Sequence, residues 1–464
     1  MHVKPAEGET FETEFPVVII GGGACGLTAA LTLRDAGVGV LVLERDTPPA
    51  GSTALSSGFI PACTTRWQAE RGVKDSVELM AGDIQAQARN LADPAIIDLC
   101  CRRSGPTLEW LAATHGIPFV LIEGFLYTGQ RRARMHAVPE RTGAALMARL
   151  LAAAGAAEID ILCGAEVQEI YADADGRVRG VGFRRPDGSA ERVGCQALIL
   201  ACSGFGGNRD MVRRYIPEMA GAGYFGHAGN RGDAVLWGEQ LGAEIRHMGA
   251  YQGHASVAVP HGILITWAVM REGGIQVNSA GKRFADESRG YSEHSIDVLG
   301  QPGGAVWDIY DSCIHALAME FEDYRQADAA GAVKTAMSGA ALAANLGLPE
   351  AALTETLAET QRHAEIEGRD LFGRHFEGKP ALAPPYYAVR VGASLFHTQG
   401  GLAIDTLARV LRRDGNALPN LFAGGGAACG VSGPEVWGYS SGNGLLTAVM
   451  LGRVAGESAA ALVS

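Results

Sequence analysis

A glycine-rich turn between an apolar run and a helical pattern constrains this sequence more than any other feature. Residues 15–20 (FPVVII) form the apolar run, and the turn that follows reads GGGACG over residues 21–26. Residues 27–36 have a helical pattern, and a second apolar run over residues 38–43 ends at Glu44. A strand, a glycine turn, a helix and a second strand in this order predict a β-α-β unit with a parallel sheet.

The glycines fit the spacing GxGxxG, and Glu44 follows the last of them by 18 positions. Gly21 permits the tight turn, Gly23 lets the backbone approach a pyrophosphate, and Gly26 lets the helix pack close to the strand. The helix N-terminus offers N–H groups to phosphates, and Glu44 accepts hydrogen bonds from ribose hydroxyls. A glycine turn without a ligand is the alternative, but the complete strand-turn-helix-strand context favours a dinucleotide site.

The length of the chain indicates its domain organisation, and its net charge indicates which partners to exclude. A chain of 464 residues exceeds one usual core, which predicts two domains or a domain with a large insertion. The net charge of −12 argues against nucleic acid and anionic membranes as partners. The hydrophobic fraction of 47% and the 63 glycines are typical of a globular protein whose backbone approaches a ligand closely.

The cysteines and the N-terminus predict the compartment. The nine cysteines form no CxxC pair and no zinc-type spacing, so we expect buried thiols in a reducing compartment and no metal site. The first 15 residues are polar and acidic, without the apolar run of a secretory signal, and no uninterrupted apolar run of about 18 residues occurs. These features predict a soluble, cytoplasmic protein.

The two ends of the chain share one pattern, and the middle has another. In the first half of the chain, further strand patterns occur at 159–162, 178–183, 191–193 and 197–201. After residue 392, strand patterns at 402–404 and 421–423 are followed by a helical pattern at 445–462. Residues 248–392 contain instead a β-hairpin-like segment around 279–281 and Ala-rich helical segments from 309 to 372. We therefore predict an α/β fold in which residues 1–247 and 393–464 form a nucleotide-binding domain, with an α+β domain, residues 248–392, inserted.

Several further motifs carry a family resemblance. Beside GGGACG and ERD, they are GSTALSSG (51–58), ALILACSGFGGN (197–208), GNRGDAV (229–235), GGIQVNSAGKRFADE (273–287), HTQGG (397–401) and NLFAGGG (420–426). Together they resemble the flavoprotein superfamily of fumarate reductases and 3-ketosteroid Δ1-dehydrogenases, from residue 17 to about residue 456. The resemblance implies a Rossmann-like FAD-binding domain and an inserted domain that caps the substrate over the flavin. Some members attach FAD to a histidine in the GSTALSSG loop, which has none here, so we expect noncovalent FAD.

The resemblance and the glycine-rich loops together assign the cofactor contacts. The small polar loop over residues 51–58 follows Glu44 closely and is suited to hydrogen-bond the pyrophosphate and the flavin ring. The residues expected to contact FAD are Gly21, Gly23, Ala24, Cys25, Gly26, Glu44, Arg45, Ser52, Thr53, Ser57, Gly58, Val167, Ala201, Ser203, Gly204, Asn208, Gly232, Asp233, Gly425, Ser441, Gly442, Gly444 and Leu445.

Tyr291 stands at a position that separates the branches of this superfamily. Fumarate reductases protonate their substrate from an arginine four residues after the glutamate of a GKRF-x-x-E motif; here that glutamate is Glu287, and Tyr291 stands four residues on. In ketosteroid dehydrogenases the same position, in an E-x-x-P-Y pattern, carries the tyrosine that removes the proton next to the carbonyl. The proline is absent here, since Gly290 precedes the tyrosine. The resemblance implies that Tyr291 is catalytic; a packing tyrosine is the alternative.

The last glycine turn is the second discriminator. Fumarate reductases carry an NRLGG motif there, whose arginine binds a carboxylate, whereas residues 438–444 read GYSSGNG. Dehydrogenases of cyclic ketones have a Y-x-G-x-G-like turn, whose tyrosine hydroxyl and glycine N–H bond the substrate carbonyl. The resemblance implies this role for Tyr439 and the Gly444 N–H, although Tyr439 lies one residue further from the glycines than in that pattern. Alternatively, the turn only receives the pyrimidine edge of the flavin.

Two histidines resemble the acid branch instead. His254, in QGHAS, matches a fumarate reductase histidine that contacts a carboxylate, and Thr266, twelve residues later, matches the carboxylate-binding threonine. His397, in HTQGG, matches the second histidine of that site. However, Trp267 replaces the proton-relay glutamate, and Arg271 is only an approximate match to the relay arginine. We expect both histidines to bind substrate, with purely structural histidines as the alternative.

This mixed pattern favours a substrate that carries both a ketone and an acid, such as an oxocyclohexanecarboxylate. The expected reaction is FAD-dependent α,β-dehydrogenation (desaturation) of a cyclic ketone, in which Tyr291 removes the α-proton and the β-carbon gives hydride to flavin N5. Tyr439 and the Gly444 N–H stabilise the enolate oxygen. A phenol has an ordinary pKa of about 10, so Tyr291 must act as tyrosinate or pass its proton on, with help from Arg289 or His294.

The same residues are compatible with two other activities. The same machinery run backwards reduces an unsaturated acid, as in fumarate reductases, and a 3-ketosteroid Δ1-dehydrogenase is a further alternative. The missing arginines and the absence of a CxxCH haem motif weigh against the acid reductase. A flavin-binding protein without turnover is the non-enzymatic alternative. For the enzyme, the expected partners are a small-molecule substrate and a separate electron acceptor.

Overall fold

A computed structural model describes residues 1–124, 126–127, 129–365, 368–376 and 378–464. The chain divides into two compact units: the first comprises Met1–Pro217, Gly226–Tyr251 and His397–Ser464, and the second Glu218–Phe225 and Gln252–Phe396. The main segment of the inserted unit spans residues 252–396, whereas the predicted domain spans residues 248–392. The second unit also includes a short segment that the sequence pattern had placed with the N-terminal part.

The strands follow one another along the whole chain. In chain order they are β1 (His2–Pro5), β2 (Glu14–Ile20), β3 (Val40–Leu43), β4 (Ile60–Pro61), β5 (Val120–Leu121), β6 (Met135–Ala137), β7 (Asp160–Leu162), β8 (Glu166–Ala172), β9 (Val178–Arg184), β10 (Ala190–Leu200), β11 (Gly223–Tyr224), β12 (Ile245–Arg246), β13 (Tyr251–Ala258), β14 (Ile263–Leu264), β15 (Ile275–Val277), β16 (Ala305–Asp311), β17 (Val333–Ala336), β18 (Tyr386–Thr398), β19 (Gly401–Leu402), β20 (Arg409–Leu411) and β21 (Ala417–Ala423).

Helices lie between the strands in both units, singly or in succession. They are α1 (Ala24–Asp35), α2 (Gly51–Leu55), α3 (Arg66–Glu70), α4 (Val77–Gln87), α5 (Pro94–Ala113), α6 (Gly143–Ala156), α7 (Arg209–Tyr215), α8 (Asp233–Gln240), α9 (Ala268–Arg271), α10 (Tyr291–Leu299), α11 (Ser312–Ala318), α12 (Glu322–Ala329), α13 (Gly339–Leu346), α14 (Glu350–Glu365) and α15 (Asn443–Val463). Short 3₁₀ turns lie at Pro217–Met219, Pro302–Gly304, Gly425–Ala427 and Val436–Gly438.

The main sheet of the first unit contains the predicted β-α-β motif. Its strand order is β1-β8-β9-β10-β2-β3-β7, with β21 also paired to β10 and β20 to β21. The strands β7, β3, β2, β10 and β21 run parallel to one another. Residues 17–20 of β2 are buried, as expected for a parallel strand covered on both faces. The α/β fold predicted from both ends of the chain is confirmed.

Helices α1 and α15 pack closely because α15 carries glycines where α1 approaches. A Cβ at Gly452 would lie 2.4 Å from the carbonyl oxygen of Cys25, and one at Gly456 would lie 2.7 Å from that of Ala29. α15 is, among the described residues, the one helix long and apolar enough to span a membrane by composition, with a mean hydropathy of 1.4 over 18 residues. However, 61% of that window is buried within the protein, a pattern typical of a core helix.

Some predicted element bounds were wrong in the first unit. The predicted strands at 191–193 and 197–201 form a single strand, β10, because its first half pairs with β9 while its second half pairs with β2. The helix after the glycine turn begins at Ala24 rather than at residue 27. The first turn consists of the small residues Ala24, Cys25 and Gly26, which do not give a helical pattern of hydrophobicity.

The second unit is built on a sheet of the order β14-β13-β18-β16-β15, with β11 and β17 also paired to β18. The predicted hairpin around residues 279–281 is only a turn, closed by hydrogen bonds from Asn278 to Lys282 and from Gly281 to Asn278. β15 pairs instead with the distant β16. The region from 309 to 372, predicted as helical, also contains β17 and the end of β16. Both differences arise because these strands pair with strands that are distant in the sequence: β15 with β16, and β17 with β18.

Candidate active site

The glycine turn of the first unit opens onto a large cavity. Counting its opening to solvent, the cavity holds about 1150 Å³ of empty space. Gly21 has φ +107°, and a Cβ there would lie 2.5 Å from the carbonyl oxygen of Ala201. A Cβ at Gly26 would lie 1.9 Å from the carbonyl oxygen of Gly21. Only glycine fits at these two positions.

Glu44 is fixed at the wall of this cavity by the turn itself. One carboxylate oxygen accepts from the backbone N–H of Gly22 at 2.6 Å, and the other accepts from the N–H of Asp46 at 2.9 Å. Each oxygen keeps further lone pairs available. Glu44 is therefore held in place to accept hydrogen bonds from a ligand, as a ribose would require.

The N-terminus of α1 reaches the same cavity, and its N-cap residue has no side chain to cap it. Its N-cap is Gly23, and its first turn has no acidic residue, so its positive end is open to a phosphate. The Thr53 hydroxyl accepts from the N–H of Ala24 at 3.0 Å, which ties the 51–58 loop to this turn. The glycine cradle, the anchored acid and the open helix end together fit the diphosphate and ribose of FAD.

Most residues predicted to contact FAD line the cavity. These are Gly21, Gly23, Ala24, Cys25, Glu44, Arg45, Ser52, Thr53, Val167, Ala201, Ser203, Asp233, Gly425, Gly444 and Leu445. Ser203 has φ +65°, a strained value for a residue with a side chain. Gly425, at φ +56°, forms a second tight turn. The cavity thus brings together predicted residues from segments between positions 21 and 445.

The remaining predicted residues are not among those that line the cavity. Asn208 caps α7 by accepting from the N–H groups of Asp210 and Met211. A Cβ at Gly204 would lie 2.0 Å from the Thr398 hydroxyl, so this glycine permits a close approach of two segments. The predicted residues in this second group are Gly26, Ser57, Gly58, Gly204, Asn208, Gly232, Ser441 and Gly442.

Sequence patterns missed several residues of the wall. Asn230 donates to the Ser52 hydroxyl at 2.7 Å, and Arg45 donates to the carbonyl of Gly229 at 3.1 Å. Trp237 also lines the cavity and is 1% exposed. Gly229 and Asn230 lie in the GNRGDAV motif without an assigned cofactor contact, whereas Arg45 was among the predicted contacts; Trp237 lies on α8 outside that motif. Within the described parts of the chain, no cluster of three or more His, Cys, Asp or Glu side chains is arranged for a metal ion.

Three predicted catalytic residues, His397, Tyr439 and Gly444, lie close together in the first unit. The ring of His397 lies edge-on to that of Tyr439, with centroids 5.5 Å apart. A Cβ at Gly444 would lie 3.0 Å from Nε2 of His397, so the glycine leaves room for the imidazole against the first turn of α15. The N-cap of α15, Gly442, supplies no side-chain cap to that turn. His397 and Gly444 line the cavity.

The protonation of His397 follows from its surroundings. Burial lowers the pKa of His397 to about 4. The amide nitrogen of Gln399 lies 3.0 Å from its Nδ1. At neutral pH the imidazole is therefore uncharged, and it acts as a hydrogen-bonding group rather than as a cation.

The other two predicted catalytic residues meet in the second unit. The rings of Tyr291 and His254 are stacked, with centroids 4.7 Å apart and an interplanar angle of 26°. Phe396 stacks on His254 at 5.2 Å, and Phe225 stacks on Phe396 at 4.7 Å. Trp267 lies edge-on to His254 at 5.9 Å. Tyr291 thus belongs to a group of stacked aromatic rings, which the sequence analysis did not predict.

His254 is uncharged as well. It is 4% exposed, and burial lowers its pKa to about 3. The N–H of Ser256 donates to Nδ1 at 3.1 Å, so the ring proton resides on Nε2. The hydroxyl of Ser256 in turn donates to the buried carboxylate of Asp308 at 2.5 Å.

The segment before Tyr291 is fixed from several sides. Trp267 donates from Nε1 to the carbonyl of Arg289 at 3.3 Å, and Arg271 donates to the carbonyl of Ser288 at 3.2 Å. Thr266 accepts from the N–H of Ala268 at 3.3 Å, within its own turn. The residues matched to a carboxylate site and a proton relay therefore make backbone contacts here.

The two groups expected to assist Tyr291 make other contacts. Arg289 forms ion pairs with Glu293 at 3.4 Å and Asp297 at 3.2 Å. His294 bonds through Nε2 to the side-chain oxygen of Gln276 at 2.9 Å. The ring stacked on Tyr291 is His254, which the sequence analysis had not connected with it.

A buried ion-pair cluster anchors the GKRF-x-x-E motif. Glu287 accepts from Arg283 at 2.6 and 2.8 Å and from Arg374 at 3.0 Å. Burial alone would raise the pKa of Glu287, but the two guanidinium groups hold it at about 2. Arg283 also pairs with Asp370 at 2.6 Å. These contacts fix the motif four residues before Tyr291.

Comparisons with known proteins agree with this geometry. A family model described as FAD binding domain matches residues 16–445. Fumarate reductase (cytochrome) from Shewanella frigidimarina is 29% identical over 445 residues, which cover 96% of this chain and 76% of the relative. 4-Oxocyclohexanecarboxylate 2-dehydrogenase from Sinomonas cyclohexanicum is 25% identical over 522 residues, covering 90% of this chain and 88% of that protein.

A solved structure gives the same result for the fold. The crystal structure of 3-ketosteroid-Δ4-(5α)-dehydrogenase from Rhodococcus jostii RHA1, in complex with 4-androstene-3,17-dione, is similar with a TM-score of 0.79 and 26% identity. The match covers 99% of this chain and 100% of that one. The chain therefore belongs to the FAD binding domain family, and it is an FAD-dependent oxidoreductase that acts on carbon–carbon single or double bonds.

Proposed function

We propose that this enzyme desaturates a cyclic ketone at the α and β carbons, including rings that carry a carboxylate, such as an oxocyclohexanecarboxylate. The observation that carries the proposal is the buried pair of Tyr291 and His254, stacked at 4.7 Å. A phenol stands where an acid reductase of this superfamily would place a guanidinium. The names of two relatives, a 4-oxocyclohexanecarboxylate 2-dehydrogenase and a 3-ketosteroid-Δ4-(5α)-dehydrogenase, support a ketone substrate.

The charge of the two histidines also favours a ketone. Burial lowers the pKa of His254 to about 3 and that of His397 to about 4, so both are uncharged at neutral pH. A buried dicarboxylate needs cationic partners, because desolvation of an unpaired charge is costly. Arg271 and Arg289 are engaged with a backbone carbonyl and with acidic side chains. A ketone oxygen needs hydrogen-bond donors only.

In the proposed reaction Tyr291 accepts the proton from the carbon next to the ketone. It is the first residue of α10, where the positive end of the helix dipole favours a phenolate. The Gly444 N–H, the Tyr439 hydroxyl and His397 hold the ketone oxygen as negative charge develops, each donor contributing roughly 2.7–4 kcal/mol in comparable sites. Bound FAD supplies the hydride acceptor. A separate electron acceptor then completes the cycle.

Two properties of the holoenzyme belong to the proposal. We propose that FAD is held noncovalently, because the loop over residues 51–58 contains no histidine. Release of all the yellow colour into the supernatant on acid precipitation would support this, and a coloured pellet would oppose it. We also propose a reducing, cytoplasmic location, which is supported by all nine cysteines being free thiols.

Anaerobic bleaching of the bound flavin tests the reaction. The oxidised holoenzyme is mixed with 4-oxocyclohexanecarboxylate, with a 3-ketosteroid, and with succinate, and the flavin absorbance is followed. We expect a cyclic ketone to bleach the flavin and succinate to leave it unchanged. Prereduced enzyme is mixed with fumarate in parallel. Rapid reoxidation by fumarate, without bleaching by any ketone, would refute the ketone desaturase.

Tyr291→Phe tests the role of the phenol, because it keeps the ring stack and removes only the hydroxyl. We expect the bleaching rate to fall on the order of 10²–10⁴-fold while FAD stays bound. Tyr387→Phe is the matched control in the same unit; its ring stacks on Tyr310 at 6.0 Å, and we expect no change. An unaltered rate in Tyr291→Phe would exclude Tyr291 as the base.

The second candidate function is the reduction of an unsaturated carboxylic acid. It is favoured by the fumarate reductase that is 29% identical over 445 residues and by the matched positions of His254 and His397. A ketosteroid Δ1-dehydrogenase is the third candidate, with the same proton chemistry on a larger ring. The substrate panel separates all three, since each predicts a different compound that changes the flavin absorbance.

A further inference from the structure

A chain of buried side-chain hydrogen bonds ends on His397. The amide of Asn443 donates to the hydroxyl of Ser432 at 3.1 Å, and that hydroxyl donates to the side-chain oxygen of Gln399 at 2.8 Å. The amide nitrogen of Gln399 then lies 3.0 Å from Nδ1 of His397. Asn443 and Ser432 are each 1% exposed and Gln399 is 4% exposed, so these bonds are shielded from water.

The order of donors and acceptors in this chain selects the tautomer of the imidazole. Since the oxygen of Gln399 accepts from Ser432, its N–H faces His397, and Nδ1 must accept. The carbonyl of Thr398, the other neighbour of Nδ1, is 3.5 Å away, too far to compete strongly. The ring proton therefore lies on Nε2. Turning the Gln399 amide over would direct its N–H at the Ser432 hydroxyl, which already accepts from Asn443, and would leave the hydroxyl proton without an acceptor in this chain, which is costly.

The Nε2 side of the ring faces the start of α15. A Cβ at Gly444 would lie 3.0 Å from Nε2 and 2.9 Å from Cε1, so the missing side chain lets this edge of the ring lie beside the helix. Both residues line the cavity. Asn443, the first residue of the same helix, begins the hydrogen-bond chain. The helix end and the imidazole are thus coupled through their side chains.

We propose that Gln399, Ser432 and Asn443 are positioning residues that hold His397 as an Nε2–H donor, beside the Gly444 N–H, for the ketone oxygen of the substrate. The part concerning the substrate rests on the proposed function; the tautomer does not. Such a donor recognises an uncharged carbonyl oxygen and brings no positive charge to a carboxylate. Gln399 would in this way contribute to the choice of substrate class without touching the substrate.

The direct test is the tautomer of His397 in the holoenzyme, measured by NMR after labelling histidine with ¹⁵N. His397→Gln identifies the signal by its loss. We expect Nδ1 to have the chemical shift of an unprotonated nitrogen and Nε2 that of a protonated one, unchanged between about pH 6 and pH 8. A proton on Nδ1 in the wild-type enzyme would overturn the proposal, whichever substrate the enzyme uses.

Gln399→Glu and Gln399→Met test the link to catalysis. The carboxylate of Gln399→Glu faces Nδ1 and favours a proton there, so we expect His397 to titrate between about pH 6 and pH 8 and ketone-driven bleaching to become pH-dependent in that range. Gln399→Met removes the donor without adding charge, and we expect bleaching to slow about tenfold, below the 10²–10³-fold loss of an oxyanion donor removed outright. Bleaching at the wild-type rate and pH profile in both variants would refute the positioning role.

Substitutions at Ser432 separate positioning from folding. Ser432→Ala breaks the chain, whereas Ser432→Thr keeps the hydroxyl. We expect Ala to loosen the tautomer preference of His397 and to slow bleaching, and Thr to restore both, with FAD content and thermal midpoint checked for each. If no ketone bleaches even the wild-type enzyme, the proposed function fails, yet the NMR result still decides whether the chain fixes the tautomer.

Discussion

The backbone N–H of Ser256 donates to Nδ1 of His254 at 3.1 Å inside the second unit. Serine follows the histidine by two residues on β13, so the strand places both on one face. The imidazole is stacked between Tyr291 and Phe396, where a charged ring would lose its hydration. Burial accordingly lowers the pKa of His254 to about 3.

This buried histidine makes the fold sensitive to acid. In the unfolded chain it takes up a proton near pH 6.5, whereas the folded enzyme keeps it neutral down to a pKa of about 3. The unfolded state therefore binds one more proton in this range, and stability falls as the pH drops below about 6.5. We expect His254→Gln to reduce the slope of unfolding free energy against pH by roughly 1.4 kcal/mol per pH unit.

The measurement is urea denaturation of wild-type and His254→Gln apoenzyme at several pH values between about 4 and 6, followed by circular dichroism. The two proteins are compared by the slope of their unfolding free energy against pH. Their absolute unfolding free energies also differ because the substitution changes the ring stack. Parallel stability curves for the two proteins would mean that His254 is protonated in the folded state.

Asp308 predicts a dependence of opposite sign. It is fully buried, accepting from Ser256 at 2.5 Å and Gln276 at 2.7 Å. Burial raises its pKa to about 7, although the two hydrogen bonds act to lower it, and Glu287 raises it further. Between the ordinary value of 3.8 and about 7 the folded state binds the extra proton, so this carboxyl makes the enzyme less stable as the pH rises.

Asp308→Asn removes this titration. Relative to the wild type, we expect the unfolding free energy of the variant to increase with pH by roughly 1.4 kcal/mol per unit between about pH 4.5 and 6.5. The same urea series reports it, and His254→Gln serves as the control with a change of the opposite sign. A constant difference between Asp308→Asn and the wild type would mean that Asp308 is ionised throughout this range.

Gly26→Ala tests the close approach of α1 to the strand before it. The added Cβ would lie 1.9 Å from the carbonyl oxygen of Gly21, a backbone atom that cannot move without opening the turn. We expect a loss of roughly 1–3 kcal/mol in stability or more, and enzyme that purifies without its yellow colour. Gly155→Ala, in α6 with nothing within 4 Å of the added carbon, is the matched control.

For that control, helix propensity predicts unchanged or slightly higher stability and full FAD content. FAD content by absorbance and thermal midpoints by calorimetry report both variants. A Gly26→Ala enzyme with wild-type FAD content would show that the turn tolerates a side chain, contrary to the reason given for the glycine.

The nucleotide half of the site was predictable because its physics is local. Gly21, Gly26 and Glu44 lie within 24 residues, and each is required by the turn between one strand and one helix. The bond that Glu44 makes to the turn, through the N–H of Gly22, was not predicted, and its contact with the ribose stays a prediction. Helix and strand bounds were less predictable, as in β10, because two partner strands decide where pairing ends.

The surroundings of the catalytic candidates depend on distant pairs. Gln399 lies in the HTQGG motif. The motif does not indicate that Ser432, 33 residues away, orients the amide of Gln399. His254 and Tyr291 matched two different branches of the superfamily, and their stacking was not inferred from either match. A sequence pattern predicts which residues are present; the donor or acceptor that each one meets depends on the folded packing.

Glu44→Gln tests the assigned ribose contact. Both carboxylate oxygens already accept backbone N–H groups, from Gly22 at 2.6 Å and Asp46 at 2.9 Å. A glutamine offers one oxygen and one N–H₂, so one backbone donor would face another donor, at a cost of roughly 1–3 kcal/mol. The ribose hydroxyls would also lose an ionised acceptor, which forms stronger hydrogen bonds than an amide oxygen.

We therefore expect the dissociation constant of FAD from the apoenzyme to rise about 10–100-fold, measured by flavin fluorescence. FMN, which lacks the adenosine ribose, separates the two causes, since a ribose contact predicts a larger loss for FAD than for FMN. Glu355→Gln, whose carboxylate is 59% exposed and pairs with Lys282, should bind both flavins as the wild type does. Equal losses for FAD and FMN would mean that Glu44 acts only by holding the turn, and the adenosine ribose would then need another acceptor.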